Sequence, residues 1–244
     1  MSKILIITGG SRGIGEGIVN AYIERGWGIF SLSRSINNKL KGVNQIEIDL
    51  CNGDNIEQIF QSVFEKFEYN TIEYITLINN AGSIGEVNRI ENIPETDIKA
   101  TFQLNTIVPI QLSRLFIQKT KDWKARKSII NISSGAAVSP KYGWSIYCSS
   151  KAAIDLFTQS VALEQNFVEN GVELKVVYPG IVDTAMQEKL RSQSKDSFMD
   201  VDKFIDFKTE NKLNDISTVG KEVYKIDQDT SIQNGSIIRI QDNR

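Results

Sequence analysis

The stretch Lys3–Gly26 reads KILIITGGSRGIGEGIVNAYIERG, and it decides the fold. KILIITG (Lys3–Gly9) is a short apolar run rich in isoleucine and stopped by glycines. That is the pattern of a strand buried on both faces. A glycine-rich turn follows and opens a helix, for which Gly26 supplies a stop. Gly9, Gly13 and Gly15 stand at G-x-x-x-G-x-G spacing. Such a turn lets backbone N–H groups approach a pyrophosphate at a helix N-terminus. A glycine loop alone says little, but placed between a strand and a helix it predicts a dinucleotide-binding unit.

Working outward, strands alternate with helices. Trp27–Ser33, Gln45–Leu50, Glu73–Gly82, Lys127–Ser133, Val172–Gly180 and Gly235–Gln241 read as strands. Asp54–Phe67, Glu95–Lys119, the segment SIYCSSKAAIDLFTQSVALEQ from Ser145 and Asp215–Ile226 read as helices. The alternation predicts an α/β fold with one doubly wound parallel sheet of about seven strands, covered on both faces by helices. Between Asp183 and Asn214 the pattern weakens into a polar, charged stretch with scattered Met, Leu and Phe. Two readings stand there: a mobile lid over the site, or a pair of surface helices. With no linker, repeat or low-complexity segment, residues 1–244 are read as one domain.

Composition narrows the function. The chain has 244 residues, 41% hydrophobic and 24% charged, which fits an ordinary globular protein. A net charge of −2 gives no reason to expect a nucleic-acid partner or an acidic membrane. No apolar run approaches the ~20 residues of a membrane span. A strand starting at Lys3 leaves no room for a signal peptide. Cys51 and Cys148 show no disulfide or metal spacing and suit a reducing cytoplasm. The absence of histidine removes every histidine-base mechanism and the commonest zinc ligand, so no metal site is expected.

Two features point to chemistry. An NAD site carries an acid about 20 residues past the glycine loop, to hold the ribose 2′-hydroxyl. Here that place reads Ser33-Arg34. Arg34, with Arg12 in the loop, suits a 2′-phosphate and hence NADP(H). The second feature is NISSGAAVSPKYGWSIYCSSK, Asn131–Lys151. It brings a hydroxyl (Ser134), a phenol (Tyr147) and an ammonium (Lys151), the last two at positions i and i+4 of one helix. A fixed cation one turn away is expected to lower the phenol's pKa and make it a usable general acid for a carbonyl oxygen. Ser134 adds a second donor to that oxygen.

Together these motifs make the chain resemble the short-chain dehydrogenases/reductases along nearly its whole length. The stretches that carry the resemblance are Thr8-Gly9-Gly10-Ser11-Arg12-Gly13-Ile14-Gly15, Asp49, Asn79-Asn80-Ala81-Gly82, Asn105, Ser134, Tyr147-x-x-x-Lys151 and Pro179-Gly180. The resemblance implies a Rossmann-type fold and a catalytic tetrad of Asn105, Ser134, Tyr147 and Lys151. The spacing of Ser134 from Tyr147 favours it over the adjacent Ser133. Asp49 and Leu50 would meet the adenine, and Asn80, Ala81 and Gly82 the adenosine ribose side. Val182 and Thr184 would hold the nicotinamide carboxamide, and Lys151 the nicotinamide ribose. Asn105 would support a water relay to Lys151. The final segment and LSRS after the second strand resemble the sepiapterin reductase-like branch, which includes diketone (benzil) reductases. The resemblance therefore implies an NADPH-dependent carbonyl reductase in the cytoplasm, forming a homodimer or tetramer. Its pocket would be lined by Trp144, Ile181 and Met186 beside Ser134 and Tyr147. A pterin reductase, a 3-oxoacyl carrier-protein reductase and a non-catalytic dinucleotide sensor are the alternatives.

Overall fold

The computed structural model describes residues 3–52 and 55–241. A single parallel sheet of seven strands forms the middle layer, in the order β3-β2-β1-β4-β5-β6-β7. The strands are β1 Lys3–Thr8, β2 Gly28–Ser33, β3 Val43–Glu47, β4 Tyr74–Asn79, β5 Arg126–Ile132, β6 Glu173–Tyr178 and β7 Ile237–Arg239. The chain winds outward from β1 to β3, then returns past β1 to β4. The switch of direction therefore falls between β1 and β4, where loops leaving the C-terminal edge diverge and open a crevice.

The period of two in the strands explains the layers. In β1, Ile4 and Ile6 face one side and Leu5 and Ile7 the other, all buried. The first pair packs with Phe60, Val63, Leu112 and Phe116 beneath α2 (Ile56–Phe64) and α4 (Val108–Lys119). The second pair packs with Ile18, Val19, Val219 and Val223 of α1 (Gly13–Ile23) and α8 (Ile216–Gln228). Helix α5 (Ser145–Gln165) crosses near β5 and β6 and carries Tyr147 and Lys151 on its buried face.

The long helix expected over Glu95–Lys119 is interrupted. Helix α3 (Glu95–Phe102) passes into a π-helical turn, Gln103–Ile107, before α4 begins. Such widened turns collect at functional sites. Here the turn holds Asn105, only 1% exposed. The third strand also departs from expectation. It ends at Glu47, because the chain then makes an Asx turn: the Asp49 carboxylate accepts from the Cys51 N–H at 3.0 Å. The expected helix start at Asp54 lies outside the described residues.

The ambiguous 183–214 stretch forms two helices, α6 (Ala185–Arg191) and α7 (Val201–Thr209). They are anchored by a third apolar cluster. Leu190, Phe198, Val201 and Phe204 pack with Ile84, Val87, Trp144 and Tyr147. The stretch is therefore helical, and its apolar side covers the C-terminal end of the sheet. Asn214 N–H donates to Ile181 O at 2.8 Å and fastens the far end.

Candidate active site

The glycine loop is built as its spacing predicts. Gly13 has φ +57°, a conformation other residues rarely adopt. A Cβ on Gly15 would sit 2.0 Å from Gly9 O, so only glycine lets α1 start this close to the loop. The N-cap residue of α1, Arg12, makes no side-chain capping bond. The helix therefore opens with backbone donors aimed into the crevice, a fit for a pyrophosphate. Gly9, Ser11, Arg12, Gly13, Ile14, Gly15, Arg34, Asp49, Leu50, Asn80, Ala81, Gly82 and Thr184 line one cavity of ≈860 Å³. Arg12 and Arg34 are both exposed at its rim. Asn80 does more than line it. Its Nδ2 donates to Thr8 O at 3.0 Å and Gly9 O at 3.1 Å, while Thr8 Oγ1 accepts from the Asn80 and Ala81 N–H groups. These bonds tie the loops after β1 and β4 together at the switch point.

A second cavity of ≈890 Å³ adjoins the first and shares Ile14, Asn80, Gly82, Thr184 and Met186 with it. Ser134, Tyr147 and Lys151 meet here, with Trp144, Pro179, Ile181, Val182 and Met186 in its walls. Ser134 stands just past β5 and caps a short 3₁₀ turn, its Oγ accepting from Ala136 N–H at 3.2 Å. Its hydroxyl is close enough to Tyr147 to pull the phenol's pKa down. Ser133, by contrast, is buried, and its hydroxyl turns to Lys151 O at 3.5 Å. Asn105 lies one layer behind. Its Nδ2 donates to Ser83 O at 2.8 Å and Ser150 Oγ at 3.0 Å, and its Oδ1 accepts from Ser83 N–H at 2.9 Å. That side chain holds the post-β4 loop against α5.

One expectation is corrected. Lys151 does not lower the phenol's pKa here. Burial pushes Tyr147 up to about 12, and the Ser134 hydroxyl offsets only part of that. Lys151 lies 5.9 Å from the Tyr147 ring centre and donates to Ile132 O at 2.9 Å. Burial pushes the ammonium down to about 8, with Asp155 acting against the shift. Desolvation disfavours both charged forms and dominates both shifts. The result still suits proton donation: the phenol holds its proton at neutral pH, and Lys151 is mostly protonated beside it.

The sequence reading missed Asp155 and Tyr178. Asp155 is one turn beyond Lys151, so Tyr147, Lys151 and Asp155 share one face of α5. Tyr178 donates to the Asp155 carboxylate across the gap from β6. The i, i+4 repeat was visible in the chain; its partner on another strand was not.

The family model for short chain dehydrogenase matches residues 3–195. The benzil reductase ((S)-benzoin forming) of Bacillus cereus is 34% identical, covering 98% of this chain and 99% of its own. The benzil reductase of Bacillus subtilis strain 168 is 37% identical over 83% of this chain and 84% of its own. Among solved structures, the KRED1-Pglu enzyme superposes with a TM-score of 0.84 at 26% identity, covering 97% of this chain and all of that one.

Proposed function

Since this chain belongs to the short-chain dehydrogenase/reductase family, we propose that it is an NADPH-dependent carbonyl reductase. Its test substrate is a small α-diketone of the benzil type, reduced at one carbonyl to the hydroxyketone. One observation carries the reading: Ser134, Tyr147 and Lys151 share a cavity that continues into the glycine-loop crevice.

Bound NADPH supplies the hydride. Gly13, Ile14 and Gly15 receive its pyrophosphate at the start of α1. Arg34 and Arg12 take the 2′-phosphate, and no carboxylate stands in the place that an NAD site fills. Leu50, Asn80, Ala81 and Gly82 flank the adenosine end, with Asp49 at its rim. Val182 and Thr184, after Pro179, hold the carboxamide. Lys151 holds the nicotinamide ribose, and Asn105 supports the proton path to it. Ser134 and Tyr147 together grip the carbonyl oxygen, and Tyr147 gives it a proton as negative charge develops there. Trp144, Ile181 and Met186 shape the apolar side of the pocket.

The family reading also carries a cytoplasmic homo-oligomer. Leu156, Leu163 and Phe167 support it: they are 66%, 65% and 92% exposed and lie along or just beyond one face of α5. Sedimentation of the intact protein should give a dimer or tetramer, and Leu163→Glu should release monomers.

The cofactor reading is tested by initial rates with benzil and either nicotinamide. A charge-assisted hydrogen bond contributes about 1.5–3 kcal/mol, or ~10- to 100-fold in affinity. Arg34→Ala should weaken NADPH by that factor and leave NADH nearly unchanged. A native preference for NADH would overturn it. A clear native preference for sepiapterin over benzil would shift the substrate to a pterin and leave the reductase assignment standing.

A further inference from the structure

Arg239 has no role in the reduction described above, yet it lines the catalytic cavity. It is the register partner of Tyr178 in the β6–β7 pairing, so the two side chains share one face of the sheet. Its guanidinium carbon lies 4.8 Å from the Tyr178 ring centre. Its Nη1 lies 3.9 Å from where a Cβ of Gly135 would stand, and Gly135 follows Ser134. The charge is therefore held within one residue of a hydroxyl that grips the reacting oxygen. Arg239 forms no ion pair among the described residues. The nearby carboxylate, Asp155, is taken by the Tyr178 hydroxyl and feels Arg239 only as a neighbouring charge. Lys141 and Lys203 also border the cavity, and no Asp or Glu does among its described lining residues. Part of the cavity wall is aromatic: Trp144 stacks on Phe198 at 5.1 Å and meets Phe204 edge-on.

A cavity with a guanidinium beside Ser134–Gly135 and aromatic rings in its wall selects an amphiphilic anion. A guanidinium stacked on a ring keeps its N–H edge for planar, bidentate acceptors, and carboxylate is the best match. We propose that Arg239 reads a carboxylate next to the reacting ketone. The preferred substrate class is then a 2-oxo acid with an aromatic or bulky apolar arm. This rests on the carbonyl reductase reading. The ketone oxygen lies at Ser134 and Tyr147, the carboxylate at Arg239 and the arm against Trp144 and Phe204. Hydride from NADPH forms the new C–H bond as the C=O π bond breaks. The oxygen takes the Tyr147 proton, which solvent replaces. The product is the 2-hydroxy acid, the carboxylate is unchanged and NADPH becomes NADP⁺.

Three phenyl ketones separate the possibilities: benzoylformate, its methyl ester and benzil carry the same reacting carbonyl beside a carboxylate, an ester and a benzoyl group. The native enzyme should prefer benzoylformate to the ester in kcat/KM. Arg239→Gln should lower that preference by ~10- to 100-fold, the loss of a charge-assisted pair. Calorimetric titration of benzoylformate into the protein with NADP⁺ should show the same fold-loss in affinity, and a weaker affinity at high salt. Equal loss on all three substrates would overturn the inference, as would a native enzyme that reduces the ester and benzil but not benzoylformate. The latter result keeps the reductase assignment. If none of the three is reduced with NADPH, the reductase reading fails, and the titration alone decides whether Arg239 binds the carboxylate.

Discussion

Two buried carboxylates, Asp227 on α8 and Asp155 on α5, are treated differently by their neighbours. Asp227, at the end of α8, is fully buried and accepts from four hydroxyls. Tyr22 donates at 2.7 Å, Tyr74 at 2.8 Å, Thr76 at 2.9 Å and Ser128 at 2.6 Å, so each carboxylate oxygen holds two hydroxyl donors, and Gln228 Nε2 adds a third donor to Oδ2 at 3.1 Å. Asp155, at the catalytic edge, is 5% exposed. Its Oδ2 accepts from Tyr178, while Oδ1 has no hydrogen-bond partner among the described residues. Burial raises the Asp155 carboxyl above its ordinary range, against the pull of Ser133, Tyr178, Lys151 and Arg239. A saturated buried carboxylate fixes a scaffold; an undersaturated one next to shifted titrating groups marks a working site. Asp227 ties α1 and α8 to β4 and β5, whereas Asp155 acts on Lys151.

The contrast predicts which changes cost rate and which cost stability. The largest effect belongs to Tyr147→Phe, which removes the proton donor and keeps the ring. Turnover of benzil should fall by ~10²–10⁴, with the melting temperature nearly unchanged; near-normal turnover would break the assignment. Next comes Asp227→Ala, which strands four hydroxyls and should lower unfolding stability by about 3–5 kcal/mol. Denaturant titration measures it, and the folded fraction should keep its kcat. A large kcat loss without a stability loss would dissolve the distinction between the two clusters.

Smaller effects concern the ionisation of Lys151. In the proposed reduction the ammonium form of Lys151 is the working one, and it is present below its pKa of about 8. The log kcat/KM for reduction should therefore be flat through neutral pH and fall as pH rises past that value. Asp155 favours the ammonium, so Asp155→Asn should move the alkaline limb to lower pH. A merely structural role for Asp155 would lower rate or stability without moving the limb. The mildest change, Ser133→Ala, should alter kcat less than tenfold, while Ser134→Ala should cost more because Ser134 lines the cavity beside the phenol.

Much of the fold was legible because it rests on short-range pattern. The apolar runs of β1, β2, β4 and β5 mark strands buried on both faces, and their order with the helices leaves few topologies. Boundaries were less legible. In Gln45–Leu50 the turn signal is a single residue, Asp49, set in an apolar run, so the strand's end at Glu47 was easy to overrun. The 183–214 stretch was ambiguous because Leu190, Phe198 and Phe204 find their apolar partners on the loop after β4 and the start of α5.

The sequence by itself determined the strand–loop–helix opening, the glycine positions, the i, i+4 pairing of Tyr147 with Lys151 and the absence of an acid after β2. Each depends on neighbours within a few residues, so the chain order contains it. Tertiary structure alone decided what those groups feel. It turned Lys151 to Ile132 O, placed Asn105 on a π-helical turn and packed Tyr147 into the apolar cluster of α6 and α7. It also set Arg239 opposite Tyr178 through the register of the last strand. The physical reason is that ionisation follows burial and through-space charge, and both are fixed by contacts between segments far apart in the chain.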